Sequence, residues 1–235
     1  MVETNMNERQ QSILIEIVIE YIRKAVPIGS KLVVDNYHED VSPATVRNDM
    51  VKLEEMGYLT QPHTSAGRIP TEDGYRYFID TRLDYDGFLI KKDIDEMVTG
   101  MKDLEIDKEE DNQVRIKKIA KILAEKLNLG VFVAFSSSVV YYTGLANIFS
   151  QPEFQNIRSV HNFSSVIDQL DEVMTRIYHH VEDLKVEIGE ENRIALDCGT
   201  VMFKQEDILF GILGPQRMDY QQSVCYLNFI REILK

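Results

Sequence analysis

The side chains of this sequence best placed to do chemistry are hydrogen-bond donors rather than nucleophiles. Thr45, Arg47, Asn48 and Lys52 fall within one short segment that opens Ser42-Pro43-Ala44-Thr45. A guanidinium such as that of Arg47 can bind guanine O6 and N7 bidentately, and a carboxamide such as that of Asn48 can bind adenine N6 and N7. Thr45 can donate to a phosphate or touch a thymine methyl. The alternative is that these residues only solvate an exposed helix face. A second cluster, His63-Thr64-Ser65-Ala66-Gly67-Arg68, offers short donors and a cation suited to phosphates or to a narrow minor groove. His63, beside Pro62, reads more readily as a turn residue holding a carbonyl. Nucleic-acid contacts are therefore assigned to Ser42, Thr45, Arg47, Asn48, Lys52, His63, Thr64, Ser65, Gly67 and Arg68.

Catalysis is the competing class. His63, His161, His179, His180, Asp197 and Cys198 include nucleophiles and bases, yet no GxSxG, HExxH or phosphate-loop spacing surrounds them. His179 and His180 are adjacent, so on a helix they face different directions and share no metal. No catalytic residue, cofactor or metal ligand is assigned, and the chain is read as a non-enzyme. Cys198 and Cys225 lack CxxC or metal-ligand spacing, which fits reduced thiols and a cytoplasmic address.

Composition constrains how DNA could be bound. The chain has 235 residues, a formal net charge of -13, 44% hydrophobic residues and no Trp. A chain of this kind buries a real core in one large or two modest domains. Residues 1–5 carry neither a basic nor an apolar leader segment. The longest uncharged run, 127–152, is broken by Ser136, Ser137, Ser138, Thr143 and Asn147, so no membrane span is expected. Sequence-independent DNA affinity comes from Lys and Arg displacing counterions. Residues 1–82 hold 9 such cations against 13 acids. Binding through a small positive face is then weak on random DNA and depends more on base contacts.

The elements that position the donors can be read from spacing. Leu14, Ile17, Val18, Tyr21 and Ile22 keep the spacing of one buried helix face, and Pro27-Ile28-Gly29 ends that helix. Ser30 is placed to cap a short second helix over 31–37, beyond which His38-Glu39-Asp40-Val41 forms the turn. Ser42 as N-cap and Pro43 at the first helical position start a third helix, with Val46, Met50 and Leu53 inward and Gly57 closing it. Two short strands around residues 63–67 make a hairpin. Thr71 then caps a fourth helix that carries Tyr75, Phe78, Ile79 and Leu83. Two helices joined by a short turn and followed by a hairpin are the parts of a winged helix-turn-helix, whose second helix enters the major groove.

Residues 86–128 read as a helical connector with apolar stripes at Ile94, Met97, Val98, Met101 and Leu104, and at Ile119, Ile122, Leu123 and Leu127. Those stripes pack on something else or on a second copy, and they are the expected pairing surface. From residue 129 the pattern gives strands at 129–135, 193–197, 201–204 and 208–213, and helices at 164–181 and 219–234. The fold class is therefore α+β: a winged-helix domain over 1–85, the connector, and an α+β domain over 129–235 with a largely antiparallel sheet.

Pro27-Ile28-Gly29-Ser30, Ser42-Pro43-Ala44-Thr45-Val46-Arg47-Asn48-Asp49-Met50, Gly57-Tyr58-Leu59, the run from Gln61 to Thr71, and Gly74-Tyr75-Arg76-Tyr77-Phe78-Ile79-Asp80 resemble the heat-inducible transcription repressor HrcA family. Gly144-Leu145-Ala146-Asn147-Ile148, Gln151-Pro152-Glu153-Phe154, Ile188-Gly189-Glu190-Glu191-Asn192 and Gly214-Pro215-Gln216-Arg217-Met218-Asp219-Tyr220 are similar to the same family's C-terminal half. The resemblance implies a repressor of heat-shock (chaperone) operons that binds an inverted-repeat operator in double-stranded DNA as a homodimer. It also implies control by the chaperonin GroEL and a GAF-like effector domain. Relatives carry further strands and a helical dimerisation insertion between the positions of about Phe135 and Gly144, where this chain has only residues 136–143. The domain is thus a reduced GAF-like form. The alternative reading is a winged-helix regulator of other genes whose GAF-like domain senses a ligand.

Overall fold

The computed structural model describes residues 5–37, 41–64, 66–103, 111–154 and 170–235. They form two compact units, 1–83 and 84–235. The helices expected as a separate connector over 86–128 belong to the second unit.

In the first unit, α1 (Glu8–Lys24) starts at a capping box: Asn7 accepts the Gln10 amide, and the Gln10 side chain accepts the Asn7 amide. Its stripe of Ile13, Leu14, Ile17 and Val18 is fully buried, whereas Tyr21 and Ile22 are only half-buried. α2 (Ser30–Tyr37) begins on the Gly29 carbonyl, which accepts the Leu32 and Val33 amides. Ser30 is thus the first helical residue rather than the cap. The turn expected at His38-Glu39-Asp40 lies outside the described residues.

α3 (Pro43–Glu55) has the expected Ser42 cap, whose Oγ accepts the Thr45 amide at 3.1 Å. It closes in a Schellman arrangement: the Tyr58 amide donates to Leu53 and the Gly57 amide to Glu54, with Gly57 at φ +86°. β1 (Leu59–Thr60) and β2 (Ile69–Pro70) pair antiparallel. Ile28 adds a third edge through reciprocal 2.9 Å bonds with Arg68. α4 (Glu72–Arg82) follows the Thr71 cap and buries Tyr75, Tyr77 and Ile79, with Phe78 half-buried.

In the second unit, α5 (Lys91–Asp103) and α6 (Asn112–Leu127) pack together, and α6 also packs on the sheet. Ile116, Ile119, Ile122 and Leu123 are buried there. The α6 stripe is therefore spent inside one chain and is no seam for a second copy. Leu104 lies outside the described residues.

The sheet is antiparallel throughout, from β3 (Gly130–Ser136), β4 (Val139–Thr143), β5 (Lys185–Ile188), β6 (Cys198–Gln205) and β7 (Ile208–Pro215), in the order β4-β3-β7-β6-β5. Among the described residues, α7 (Leu145–Phe149) and α8 (Leu170–Ile177) lie between β4 and β5. α9 (Tyr220–Ile233) follows β7. Phe132, Ala134, Met202, Leu209 and Leu213 pack on one face against Ile148, Phe154, Leu170, Met174 and Ile177. Strand alternation sends Val131, Val133, Val201, Phe203, Phe210 and Ile212 to the other face, where α6 covers β3 and α9 covers β6 and β7. This is the α+β class expected.

The strands differ from those expected in three places, since β4 and β5 were not among them and residues 193–197 drop out. Residues 193–197 are not a strand, because Asn192 organises them as a loop: its Oδ1 accepts the Ile194 amide at 3.0 Å and its Nδ2 donates to the Cys198 carbonyl at 2.9 Å. The short segment after Phe135 closes as a hairpin, in which Ser136 Oγ accepts the Val139 amide at 3.1 Å before β4. Two of the sequence blocks also meet in space: Arg217 pairs with Glu153 and donates to Gln151 Oε1 at 2.8 Å.

Candidate nucleic-acid interface

The site is built on α3. Val46, Met50 and Leu53 fill the core of the first unit, and that anchoring turns Arg47, Asn48 and Lys52 to solvent. Asp49 sits on the border of the buried stripe at only 2% exposure. Arg9 of α1 donates to it at 2.7 Å and Gln10 lies 3.5 Å away. A carboxylate buried this deeply is tolerable only when paired and hydrogen-bonded.

The helix N-terminus holds Ser42 in its expected capping role. Its hydroxyl is engaged in capping and lies 2.9 Å from Thr45 Oγ1, so these two residues form one local hydrogen-bonded unit. Thr45 remains half-exposed beside Arg47.

The wing is held from within. Gln61 Nε2 donates to the carbonyls of Thr64 and Ala66 at 3.1 and 2.8 Å, and the Ala66 amide donates to His63. His63 and Thr64 are left exposed near the tip, while Ser65 lies outside the described residues.

Gly67 and Arg68 lie in other surroundings than those expected of phosphate-facing residues. Gly67 faces the Ile28 backbone so closely that a Cβ would lie 2.3 Å from the Ile28 carbonyl oxygen. It is a close-approach glycine for the three-stranded edge. Arg68 turns inward, its side chain 13% exposed, and its Nη2 lies 2.9 Å from Glu54 Oε2 on α3. The reciprocal pairing of Arg68 with Ile28 fixes that direction, which a tip cation would not have. Between α3 and the wing runs a cleft of about 460 Å³ whose lining includes Ser30, Arg47, Met50, Gln61 and Arg68.

The candidates for catalysis separate. Cys198 is fully buried, and burial first, then Asp197 and Glu153, pushes its thiol up, away from the thiolate that a nucleophile needs. His179 and His180 are exposed, and His161 lies outside the described residues. Among the described residues no three His, Cys, Asp or Glu could hold a metal, and no helix is long and apolar enough to cross a membrane.

Arg9, Asp49, Glu54 and Gln61 were not among the sequence-derived site residues. Asp49 carried one signal, a charge at the edge of an otherwise apolar helical stripe. Gln61 and the Glu54 pairing had none, because their partners are set by the hairpin's path.

A recognition helix anchored on a three-helix core and flanked by a wing defines a DNA-binding protein of the winged helix-turn-helix class. Comparison with known families agrees: residues 15–72 match the DeoR-like helix-turn-helix domain, and residues 87–224 match the HrcA protein C-terminal domain. The chain belongs to the HrcA family.

It is similar to the heat-inducible transcription repressor HrcA of Carboxydothermus hydrogenoformans, 25% identical over 333 aligned positions that cover 97% of each chain. An alignment of 333 positions on a chain of 235 residues leaves a long stretch that only the relative carries. The chain is also similar to the heat-inducible transcription repressor HrcA of Pelotomaculum thermopropionicum, 56% identical over 75 residues, 32% of this chain and 22% of that one. A crystal structure of a hypothetical protein shares the fold, with a TM-score of 0.74 at 18% identity over 98% of each chain.

Proposed function

We propose that this protein is a sequence-specific transcriptional repressor of heat-shock (chaperone) operons, acting in the cytoplasm as a homodimer on an inverted-repeat operator in double-stranded DNA. The observation that carries the reading is the exposed pair Arg47 and Asn48 on an anchored α3 beside the wing. These are the side chains that read guanine and adenine in the major groove. Ser42, Thr45 and Lys52 then serve nearby phosphates, and His63, Thr64 and Ser65 form the wing's contribution. Relatives bearing the repressor's name align along almost the whole chain, which supports the regulatory role.

One winged helix reads one half-site, and a two-fold operator is matched by a two-fold protein. The acidic body keeps binding to random DNA weak, so base contacts decide occupancy. The chaperonin GroEL belongs to this reading as the partner that couples repression to folding load. Catalysis plays no part in it. The test is a gel shift and footprint of the purified protein on a chaperone-operon promoter. Protection of both arms of an inverted repeat supports the reading, and equal retardation of promoter and unrelated DNA overturns it.

A further inference from the structure

α3 carries three carboxylates, Asp49, Glu54 and Glu55, on a helix that must approach phosphates. Left uncompensated, they would repel the ligand. Two of the three are matched by arginines supplied from outside the helix: Arg9 of α1 on Asp49 at 2.7 Å, and Arg68 of the wing on Glu54 at 2.9 Å.

Their positions on the helix matter as much as their charge. Asp49 and Glu54 are five residues apart, about 140° around the helix. They therefore stand at opposite borders of the buried stripe Val46, Met50 and Leu53, with Arg47 and Asn48 on the exposed arc between them. A helix packed only by an apolar stripe can roll by small angles, because burial is non-directional. An ion pair at each border removes that freedom.

We propose that Arg9–Asp49 and Arg68–Glu54 form a two-sided clamp, in which both arginines are positioning residues that set the rotation of α3 and cancel its border carboxylates. This rests on the DNA-binding reading above. The rival role is Arg68 as a direct phosphate ligand. A guanidinium that swung wholly onto DNA would leave Glu54, and the bared carboxylate would then face the same phosphates. The 13% exposure of the Arg68 side chain and the locked Ile28–Arg68 pairing oppose the same movement.

The probes are a duplex selected by the wild-type protein from a random library and a scrambled duplex of equal length. Glu54→Ala, Arg68→Ala and the double variant are titrated on both across a salt series, with hydrogen exchange at the Arg68 amide read in Glu54→Gln. The clamp gives each single variant a loss of about tenfold in preference for the selected duplex. The double variant loses no more than either single one, the salt slope is unchanged, and exchange at Arg68 is faster.

Additive losses, a salt slope lower by about one unit in Arg68→Ala, or tighter binding of both duplexes by Glu54→Gln make Arg68 a phosphate contact and overturn the clamp. If selection by the wild-type protein returns no preferred duplex, the DNA-reading function fails instead. Unchanged exchange at Arg68 in Glu54→Gln still rejects the clamp on its own.

Discussion

Asn228 on α9 donates its side-chain amide to the Tyr85 carbonyl at 2.9 Å, and the same nitrogen reaches the Gly87 carbonyl at 2.9 Å. Gln221, two turns earlier, exchanges two bonds with the Asp84 backbone, at 2.8 and 3.0 Å. The segment at the start of the second unit is thus stapled by two side-chain amides, while Phe88 and Ile90 stand 69% and 65% exposed.

Asn228→Ala removes both of its bonds. At about 1 kcal/mol each, local opening of residues 84–90 becomes roughly tenfold more frequent or better, and chymotryptic cleavage after Tyr85 or Phe88 accelerates accordingly. An unchanged cleavage rate at constant melting temperature removes the staple.

Arg47→Ala is expected to cost about 1–3 kcal/mol on the cognate operator and much less on random duplex, because the loss is that of a bidentate base contact. Anisotropy titrations on the two DNAs decide it. Equal loss on both makes Arg47 a phosphate contact.

Gly67→Ala places a methyl against the Ile28 backbone, where neither strand has a flexible end to move. Overpacking of this kind costs about 1–3 kcal/mol. Denaturant unfolding of the first unit should show that loss together with weakened DNA binding. Weaker binding at full stability would instead mean that the glycine serves approach to DNA.

Glu16 supplies a pH test. Burial pushes its carboxyl above the usual carboxylate range, with Arg82 pulling the other way, and its Oε2 finds no hydrogen-bond partner among the described residues. A carboxyl raised in the folded state contributes stability below its unfolded pKa and loses it as pH rises through the folded one. Glu16→Gln should therefore raise Tm by about 1–3 °C at pH 7 and leave it unchanged at pH 4. A lower Tm at pH 7 would show that the ionised form is held by Arg82 or Arg23.

Local chemistry was legible where a few adjacent residues decide the outcome. Ser42-Pro43 starts α3 and Gly57 ends it because cap and turn are intrinsic to those residues. The start of α1 was equally available: Asn7 and Gln10 spell a capping box one turn before the apolar stripe used to find the helix. Arg68 was not legible. Its direction is set by Ile28, forty positions upstream, and by Glu54 on another element, neither of which leaves a mark in the hairpin's own sequence. The loop at 193–197 failed as a strand for a similar reason: apolar residues satisfy the strand pattern, but a single Asn192 side chain captures their amides.

The most direct measurement is the stoichiometry of the protein on an inverted-repeat duplex, read by sedimentation at micromolar protein and physiological salt, with a duplex carrying only one arm of the repeat alongside. Two chains on the full repeat, bound at least about tenfold more tightly than the single-arm duplex, are expected of a two-fold repressor. One chain per full repeat, or equal affinity for the full repeat and a scrambled duplex, contradicts it.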